Sequence, residues 1–170
     1  MTKQVARNGI ISDADVLIDY ALSAPQVLRQ VSDHIQQLYV ALPVFTEVDQ
    51  LSIKDAQKLG LEIVEPTLSQ IEEAAVIRRE KLTLSGQDVI CFVMAKENRW
   101  FCLTNDKALR SYCRSSQVSC LWGLEVMIQL VSYKKLTSEQ ACTIAHEIQS
   151  KNKYIKDDIV TRFKKKLSSL

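Results

Sequence analysis

Short apolar runs alternate with amphipathic segments along the chain, and this pattern predicts alternating β-strands and α-helices. Brief runs rich in Val, Ile, Leu and aromatic residues are typical of strands buried in a sheet, whereas apolar residues recurring every three or four positions are typical of helices. Strands are predicted at 5–12, 37–42, 61–64, 100–103 and 118–121. Helices are predicted at 15–22, 25–34, 53–59, 68–80, 84–97, 106–114, 123–131, 137–149 and 153–167, with a further helix whose opening turn holds Glu47.

This alternation of strands and helices predicts an α/β fold, namely a three-layer α/β/α sandwich with a central, mostly parallel sheet. At 170 residues the chain fits a single domain that is large enough to bury a proper core. We expect the core to span about 5–132 and a C-terminal helical extension to span about 133–170. The low counts of Gly (4) and Pro (3) favour many helices joined by short loops.

The charge is distributed unevenly, although the formal net charge is only +2. Residues 151–170 carry seven Lys or Arg against two Asp, a net charge of +5, and the rest of the chain carries 15 basic and 18 acidic residues, a net charge of −3. A basic tail on a slightly acidic body is compatible with attraction to a phosphate backbone. A solvated final helix would have the same composition.

The cysteines and the hydropathy pattern point to a cytoplasmic protein. The five cysteines are odd in number and lack C-x-x-C spacing, so we interpret them as reduced residues of a core, and a zinc site is not expected. Residues 1–9 are polar, which is unlike a signal peptide. No stretch approaches the roughly 20 apolar residues that span a bilayer, so no membrane partner is expected.

Four acidic residues lie at predicted strand ends or helix starts, and they are the main candidates for chemistry. They are Asp13, Glu47, Asp88 and Asp106. Parallel strands deliver such residues to one edge of a sheet, where ligands usually bind. Crowded carboxylates repel one another unless a cation neutralises them, and clusters of oxygen ligands suit Mg²⁺ or Mn²⁺. Such ions are the usual agents of phosphodiester hydrolysis.

Each of these acids also has a purely structural explanation. Ser85 and Asp88 have the spacing of a capping box, and an acid in the first turn of a helix interacts favourably with the helix dipole. Asp15 is expected to cap the first helix, and Asp19 is expected to be an exposed helical acid. Caps explain why acids are tolerated at these places, but they do not explain an acid at every turn on one edge of the sheet.

Three blocks of the sequence, in order, resemble the PIN domain, a family of metal-dependent nucleases that includes VapC-like toxins. I-I-S-D-A-D-V-L-I-D-Y is similar to the opening strand and Asp-x-Asn of the family, and D-V-I-C-F-V-M-A-K-E-N is similar to its central helix. F-C-L-T-N-D-K-A-L-R resembles its Leu-Thr-Asn-Asp segment. The resemblance covers about residues 5–132, and the helical extension departs from the smaller toxins of the family.

The resemblance implies specific roles for individual residues. Asp13, Glu47, Asp88 and Asp106 would be catalytic and would bind Mg²⁺ or Mn²⁺. Asp15 stands where the family usually has Asn, Ser or Thr, and Thr104, Asn105 and Asp15 would support the metal ligands from outside. Lys107 and Arg110, just after Asp106, are weaker candidates for contacts to nucleic acid.

The resemblance therefore predicts a metal-dependent endoribonuclease that leaves a 5′-phosphate and a 3′-hydroxyl. Its expected partners are RNA, a small antitoxin protein if the chain is the toxin of a toxin–antitoxin pair, and a second copy of itself in a homodimer. One alternative is a PIN-like RNA- or protein-binding module without catalysis. Another is a haloacid-dehalogenase-like phosphatase with Asp13 as nucleophile, a reading that leaves Glu47 and Asp88 unused.

Overall fold

The structure is a computed structural model that describes residues 9–170. Its centre is one five-stranded sheet in the order β3-β2-β1-β4-β5, in which every pair of neighbouring strands is parallel. The strands are β1 (Ile10–Ser12), β2 (Leu38–Ala41), β3 (Leu61–Val64), β4 (Phe101–Leu103) and β5 (Cys120–Leu121). The predicted α/β class with a parallel sheet is confirmed. The part of the first predicted strand before residue 9 lies outside the described residues.

Ten helices surround the sheet in the described part of the chain, residues 9–170. They are α1 (Ala14–Ser23), α2 (Pro25–His34), α3 (Leu42–Phe45), α4 (Ile53–Lys58), α5 (Leu68–Glu80), α6 (Gly86–Asn98), α7 (Lys107–Ser115), α8 (Glu125–Ser132), α9 (Ser138–Lys151) and α10 (Asp157–Ser168). One layer contains α1, α2 and α8, with α9 and α10 packed onto them, and the other contains α6 flanked by α5 and α7. The result is the predicted three-layer sandwich.

Local sequence signals explain most helix starts. Ser85 and Asp88 form the predicted capping box at the start of α6, and Thr137 forms another at the start of α9. Helix α6 is buried along most of its length, including Val89 and Phe92, because it lies directly against β1, β2 and β4. The middle of this helix, from Val89 to Ala95, is therefore part of the core.

The direction of the chain reverses at β1. From β1 the chain proceeds outward to β2 and β3, and it then returns to the other side of β1 to form β4 and β5. The carboxyl ends of β1 and β4 therefore flank the topological switch point of the sheet, which is where ligands bind in open α/β sheets. Asp13 directly follows β1, and Thr104 directly follows β4.

The C-terminal helices share the hydrophobic core with the sheet. Ile144 and Ile148 of α9 and Phe163 and Leu167 of α10 are buried in the same cluster as β1. Helix α9 packs on α1, and α10 packs on both α8 and α9. Within residues 9–170, none of the helices has both the length and the apolar character that a membrane crossing requires.

Three sequence predictions are corrected by the structure. Glu47 does not open a helix: α3 ends at Phe45, and Glu47 lies in the turn that follows. Asp15 does not cap α1, because the N-cap is Asp13, whose side chain accepts a hydrogen bond from the Val16 backbone N–H. Asp19 is not exposed; it is buried beneath the C-terminal extension.

Candidate metal centre

All four predicted acids line one cavity at the carboxyl edge of the sheet. This acidic cavity has a volume of about 190 Å³. Its lining includes Asp13, Glu47, Asp88 and Asp106, and Asp15 joins them. These acids come from the ends of β1 and β4, from the turn after α3 and from the first turn of α6, so the topology has brought together residues that are distant in sequence.

Asp13 is the most deeply buried of these acids, with only 7% of its surface exposed. One carboxylate oxygen accepts a hydrogen bond from the Val16 backbone N–H at 3.0 Å, and the other accepts one from the Thr104 hydroxyl. The pKa of Asp13 is raised to about 7, chiefly by burial and to a smaller extent by the charges of Asp15 and Asp88, while the two hydrogen bonds oppose the rise. A cation bound in the cavity would favour the ionised form of Asp13 and so lower this pKa.

Asp106 and Asp88 are positioned by the first turns of α7 and α6. Asp106 is the N-cap of α7, and its Oδ1 accepts a hydrogen bond from the Leu109 backbone N–H at 2.7 Å. Asp88 accepts one from the Ser85 backbone N–H at 2.8 Å through Oδ2. The second oxygen of each carboxylate accepts no hydrogen bond from residues 9–170. Each acid therefore serves as a cap with one oxygen and has the other available for a ligand.

Glu47 differs from the three aspartates because no hydrogen bond within the described residues anchors its side chain. Its side chain forms no hydrogen bond or ion pair within the described residues, and it reaches the cavity from the turn that follows α3. A glutamate in such a turn can adjust to a ligand at little cost, whereas Asp13 is fixed by its hydrogen bonds.

Thr104 and Asn105 connect the strand ends around the cavity. The buried Thr104 hydroxyl donates to Asp13 and accepts from the Asp106 backbone N–H at 3.0 Å, so one side chain sets the positions of two acids. Asn105 Oδ1 accepts from the Gly123 backbone N–H at 3.0 Å, which ties the turn after β4 to the turn after β5. Asp15 is exposed at the cavity rim, and its pKa is raised by partial burial and by the charges of Asp88 and Asp106.

The charged groups that line the acidic cavity are carboxylates, whose oxygens are the ligands that hard cations such as Mg²⁺ prefer. Within residues 9–170, no three His, Cys, Asp or Glu side chains are arranged closely enough to enclose a metal ion by themselves. Mg²⁺ does not require such a cage, because it commonly binds through one or two carboxylates and keeps several waters. The fixed oxygens of Asp13 and the available oxygens of Asp88 and Asp106 match this mode.

The two predicted nucleic-acid contacts, Lys107 and Arg110, are separated by the structure. Lys107 is exposed in a second, larger cavity beside the acids. The guanidinium of Arg110 lies 4.8 Å from the ring centroid of Trp122, and Arg110 lines a different cavity from Lys107. Arg162 and Lys166 also lie over the ring of Trp122.

The larger cavity is also lined by residues that the sequence did not identify as part of a site. Asp19 is 9% exposed, its Oδ1 accepts a hydrogen bond from Asn152 Nδ2 at 2.8 Å, and burial raises its pKa to about 6. Asp19 lies one helical turn after Asp15, so the helical period could have placed both on one face. The segment K-N-K-Y-I-K, residues 151–156, combines three lysines with a tyrosine. This combination could have indicated that the segment lines a binding site.

Comparison with known proteins supports the fold. No protein-family profile matches the chain, and no curated protein sequence matches it. Among solved structures, the chain is similar to the crystal structure of PAE2754 from Pyrobaculum aerophilum, with a TM-score of 0.53 and 15% sequence identity. The match covers 74% of this chain and 97% of that chain. At this level of identity the likeness concerns the fold alone.

Proposed function

We propose that this protein is a PIN-like, metal-dependent endoribonuclease whose active site is the acidic cavity. The observation that carries the proposal is the convergence of Asp13, Glu47, Asp88 and Asp106 on one cavity at the switch point of the sheet. Caps alone would satisfy three helix starts, but they would not require all four carboxylates to line one cavity. The cost of gathering these charges is understandable if a cation neutralises them.

Asp13, Asp88, Asp106 and Glu47 would hold Mg²⁺ or Mn²⁺. When bound, such an ion polarises a phosphoryl oxygen and lowers the pKa of a water to the range where hydroxide forms near neutral pH. The side chains of the protein hold the acids in position around the cavity. Thr104 fixes Asp13 and the start of α7 in one arrangement, and the caps hold Asp88 and Asp106.

The same geometry disfavours the phosphatase alternative. Glu47 and Asp88 line the same cavity as Asp13, and a nucleophilic Asp13 would leave both of them without a role. The binding-module alternative predicts RNA binding without turnover, so an activity assay separates it from the nuclease.

The test is cleavage of end-labelled RNA by the purified protein in Mg²⁺ or Mn²⁺, with an EDTA control. Asp13→Asn and Asp106→Asn should each lower the cleavage rate by about 100-fold or more, since loss of an outer-shell partner alone commonly costs 10–100-fold. Asp49→Asn is the matched control, because Asp49 is an exposed acid near Glu47 that does not line the cavity. Cleavage that survives both cavity substitutions would refute the proposal.

A toxin role is the further part of this proposal. A small antitoxin would then cover the acidic cavity, and the toxin would act in the cytoplasm, where the five cysteines, none of them in a disulfide, would stay reduced. Expression of the wild-type chain should arrest growth of a bacterial host, and expression of Asp106→Asn should not. Equal growth of the host with both proteins would contradict the toxin role and favour a nuclease that processes RNA without toxicity. Sedimentation equilibrium tests the expected homodimer.

A further inference from the structure

The C-terminal extension builds one wall of the larger cavity, which we name the extension groove. Its volume is about 730 Å³. It lies between α1, the turn after β4 and the connection from α9 to α10, the last represented by residues 151–155. Asp15 and Asp106 line both this groove and the acidic cavity, so the two are adjacent.

The groove combines apolar and aromatic side chains. Its lining includes Ile18 and Ile159. It also includes Tyr154, which is 74% exposed. A tyrosine ring beside apolar wall atoms offers a flat face on which a base can stack, and the volume is within the roughly 300–1,000 Å³ of typical small-molecule sites.

Two lysines of the groove have charges that no carboxylate balances. Lys107 and Lys153 are exposed, and neither forms an ion pair with any residue in 9–170. Lys153 lies near the face of the Tyr154 ring, with Nζ 5.3 Å from the ring centroid. Lys151 is different, because its Nζ is already bonded to Glu147 at 2.8 Å and to the Leu22 carbonyl at 2.6 Å. Lys107 and Lys153 are therefore the cations available to an anionic ligand.

The connection that presents Tyr154 is held in place by the core. Asn152 donates from Nδ2 to Asp19 of α1 at 2.8 Å, and its Oδ1 accepts from the Tyr154 backbone N–H at 3.0 Å. Ile155, the next residue, is buried. The backbone of the stacking residue is thus positioned before any ligand arrives, which reduces the entropy lost on binding.

We propose that the extension groove binds single-stranded RNA beside the cleavage site, with a base stacked on Tyr154 and backbone phosphates near Lys107 and Lys153. The inference rests on the proposed function, because it places the groove next to the scissile phosphate. A single strand fits better than a duplex, since stacking on a side chain requires an unpaired base. Lys107 directly follows Asp106 in the chain, so one of the two cations is adjacent to an acid that both cavities share.

The test is fluorescence anisotropy of a fluorescein-labelled, twelve-nucleotide single-stranded RNA of mixed sequence, added to the full chain in EDTA. Tyr154→Ala should weaken binding about 5- to 150-fold, the effect expected for loss of one stacked base. Tyr154→Phe keeps the ring and should bind within about twofold of wild type. Lys107→Gln and Lys153→Gln should each reduce the slope of log K against log[salt] by about 0.7.

Matched controls come from the same chain. Tyr133 is 55% exposed and Lys165 is exposed, and neither lines the extension groove, so Tyr133→Ala and Lys165→Gln should bind as wild type does. Circular dichroism checks that each variant is folded. Equal binding by Tyr154→Ala and Tyr133→Ala would overturn the inference, as would equal competition by a duplex or no binding of the RNA by wild type.

The binding test and the cleavage test can fail separately. If wild type cleaves RNA and Tyr154→Ala changes neither affinity nor rate, the groove inference falls and the nuclease stands. If Tyr154→Ala weakens binding while wild type cleaves nothing, the nuclease falls and the groove remains an RNA-binding site.

Discussion

Asn152 connects the C-terminal extension to the core, and its replacement by alanine tests how the extension groove is held. Its Nδ2 donates to the buried carboxylate of Asp19, and its Oδ1 accepts from the Tyr154 backbone N–H. Asn152→Ala removes both bonds and leaves Asp19 without its donor. We expect the substitution to destabilise the fold and to loosen the segment that carries Tyr154.

The magnitude follows from the two bonds that are lost. A hydrogen bond to a charged group contributes about 1.5–3 kcal/mol, and a neutral one contributes about 0.5–1.5 kcal/mol. Asn152 is half-exposed, so water replaces part of each bond and the lower ends of these ranges apply. The expected loss in the free energy of unfolding is about 2 kcal/mol at pH 8, where Asp19 is ionised.

The loss should depend on pH, because the pKa of Asp19 is raised from 3.8 to about 6, chiefly by burial. The folded chain therefore holds this proton more tightly than the unfolded chain does. The contribution of Asp19 to the free energy of unfolding therefore falls as the pH rises from about 4 through about 6. Above that range the carboxylate is ionised in both states, and the loss of stability caused by its burial is complete. At pH 5 the carboxyl is mostly protonated, and the bond from Asn152 loses its charge assistance.

We expect Asn152→Ala to cost about 1 kcal/mol more at pH 8 than at pH 5, which corresponds to a further rise of about 0.7 in the pKa of Asp19. Urea denaturation at the two pH values measures the difference. Asn98→Ala is the control, because Asn98 Nδ2 donates to the neutral carbonyl of Met94 at 2.9 Å and its cost should not change with pH. In a variant that already carries Asp19→Asn, the cost of Asn152→Ala in the free energy of unfolding should be the same at both pH values. An equal loss at both pH values would show that Asn152 does not stabilise the ionised form of Asp19.

Three further outcomes test the site and the sheet. Thr104→Val should lower the free energy of unfolding by about 1–3 kcal/mol in urea denaturation, because it leaves a buried oxygen of Asp13 without a donor. Thr104→Ser keeps the hydroxyl and should retain most of the wild-type stability. Gly9→Ala should lower it by about 1–3 kcal/mol, because the new Cβ would lie 2.6 Å from Cδ1 of Trp100; an unchanged midpoint in urea would contradict this. Mn²⁺ at about 100 times its Kd should stabilise the wild type by about 2.7 kcal/mol in thermal denaturation, and Asp106→Asn should lose this gain.

The sequence predicts the sheet and most of the helices because the signals for them are local. A strand such as β4 is marked by a short apolar run, and a helix such as α6 is marked by the Ser85–Asp88 capping box and its buried stripe. The prediction of a helix that opens at Glu47 was wrong, because a local signal at Pro43 sets the start of α3 instead. Pro43 falls in the first turn of α3, where proline is favoured, so the helix begins and ends earlier than the acid suggested.

The order of strands and acids along the chain was enough to predict which acids could meet, because a parallel sheet delivers the residues after its strands to one edge. The surroundings of each side chain depend on how distant segments pack together. Asp19 and Asn152 are 133 positions apart, and their contact buries an acid that the helical pattern placed in water. Lys107 and Arg110 are three positions apart on one helix, yet they line different cavities. Burial and partnership depend on contacts between distant segments, and no local pattern encodes them.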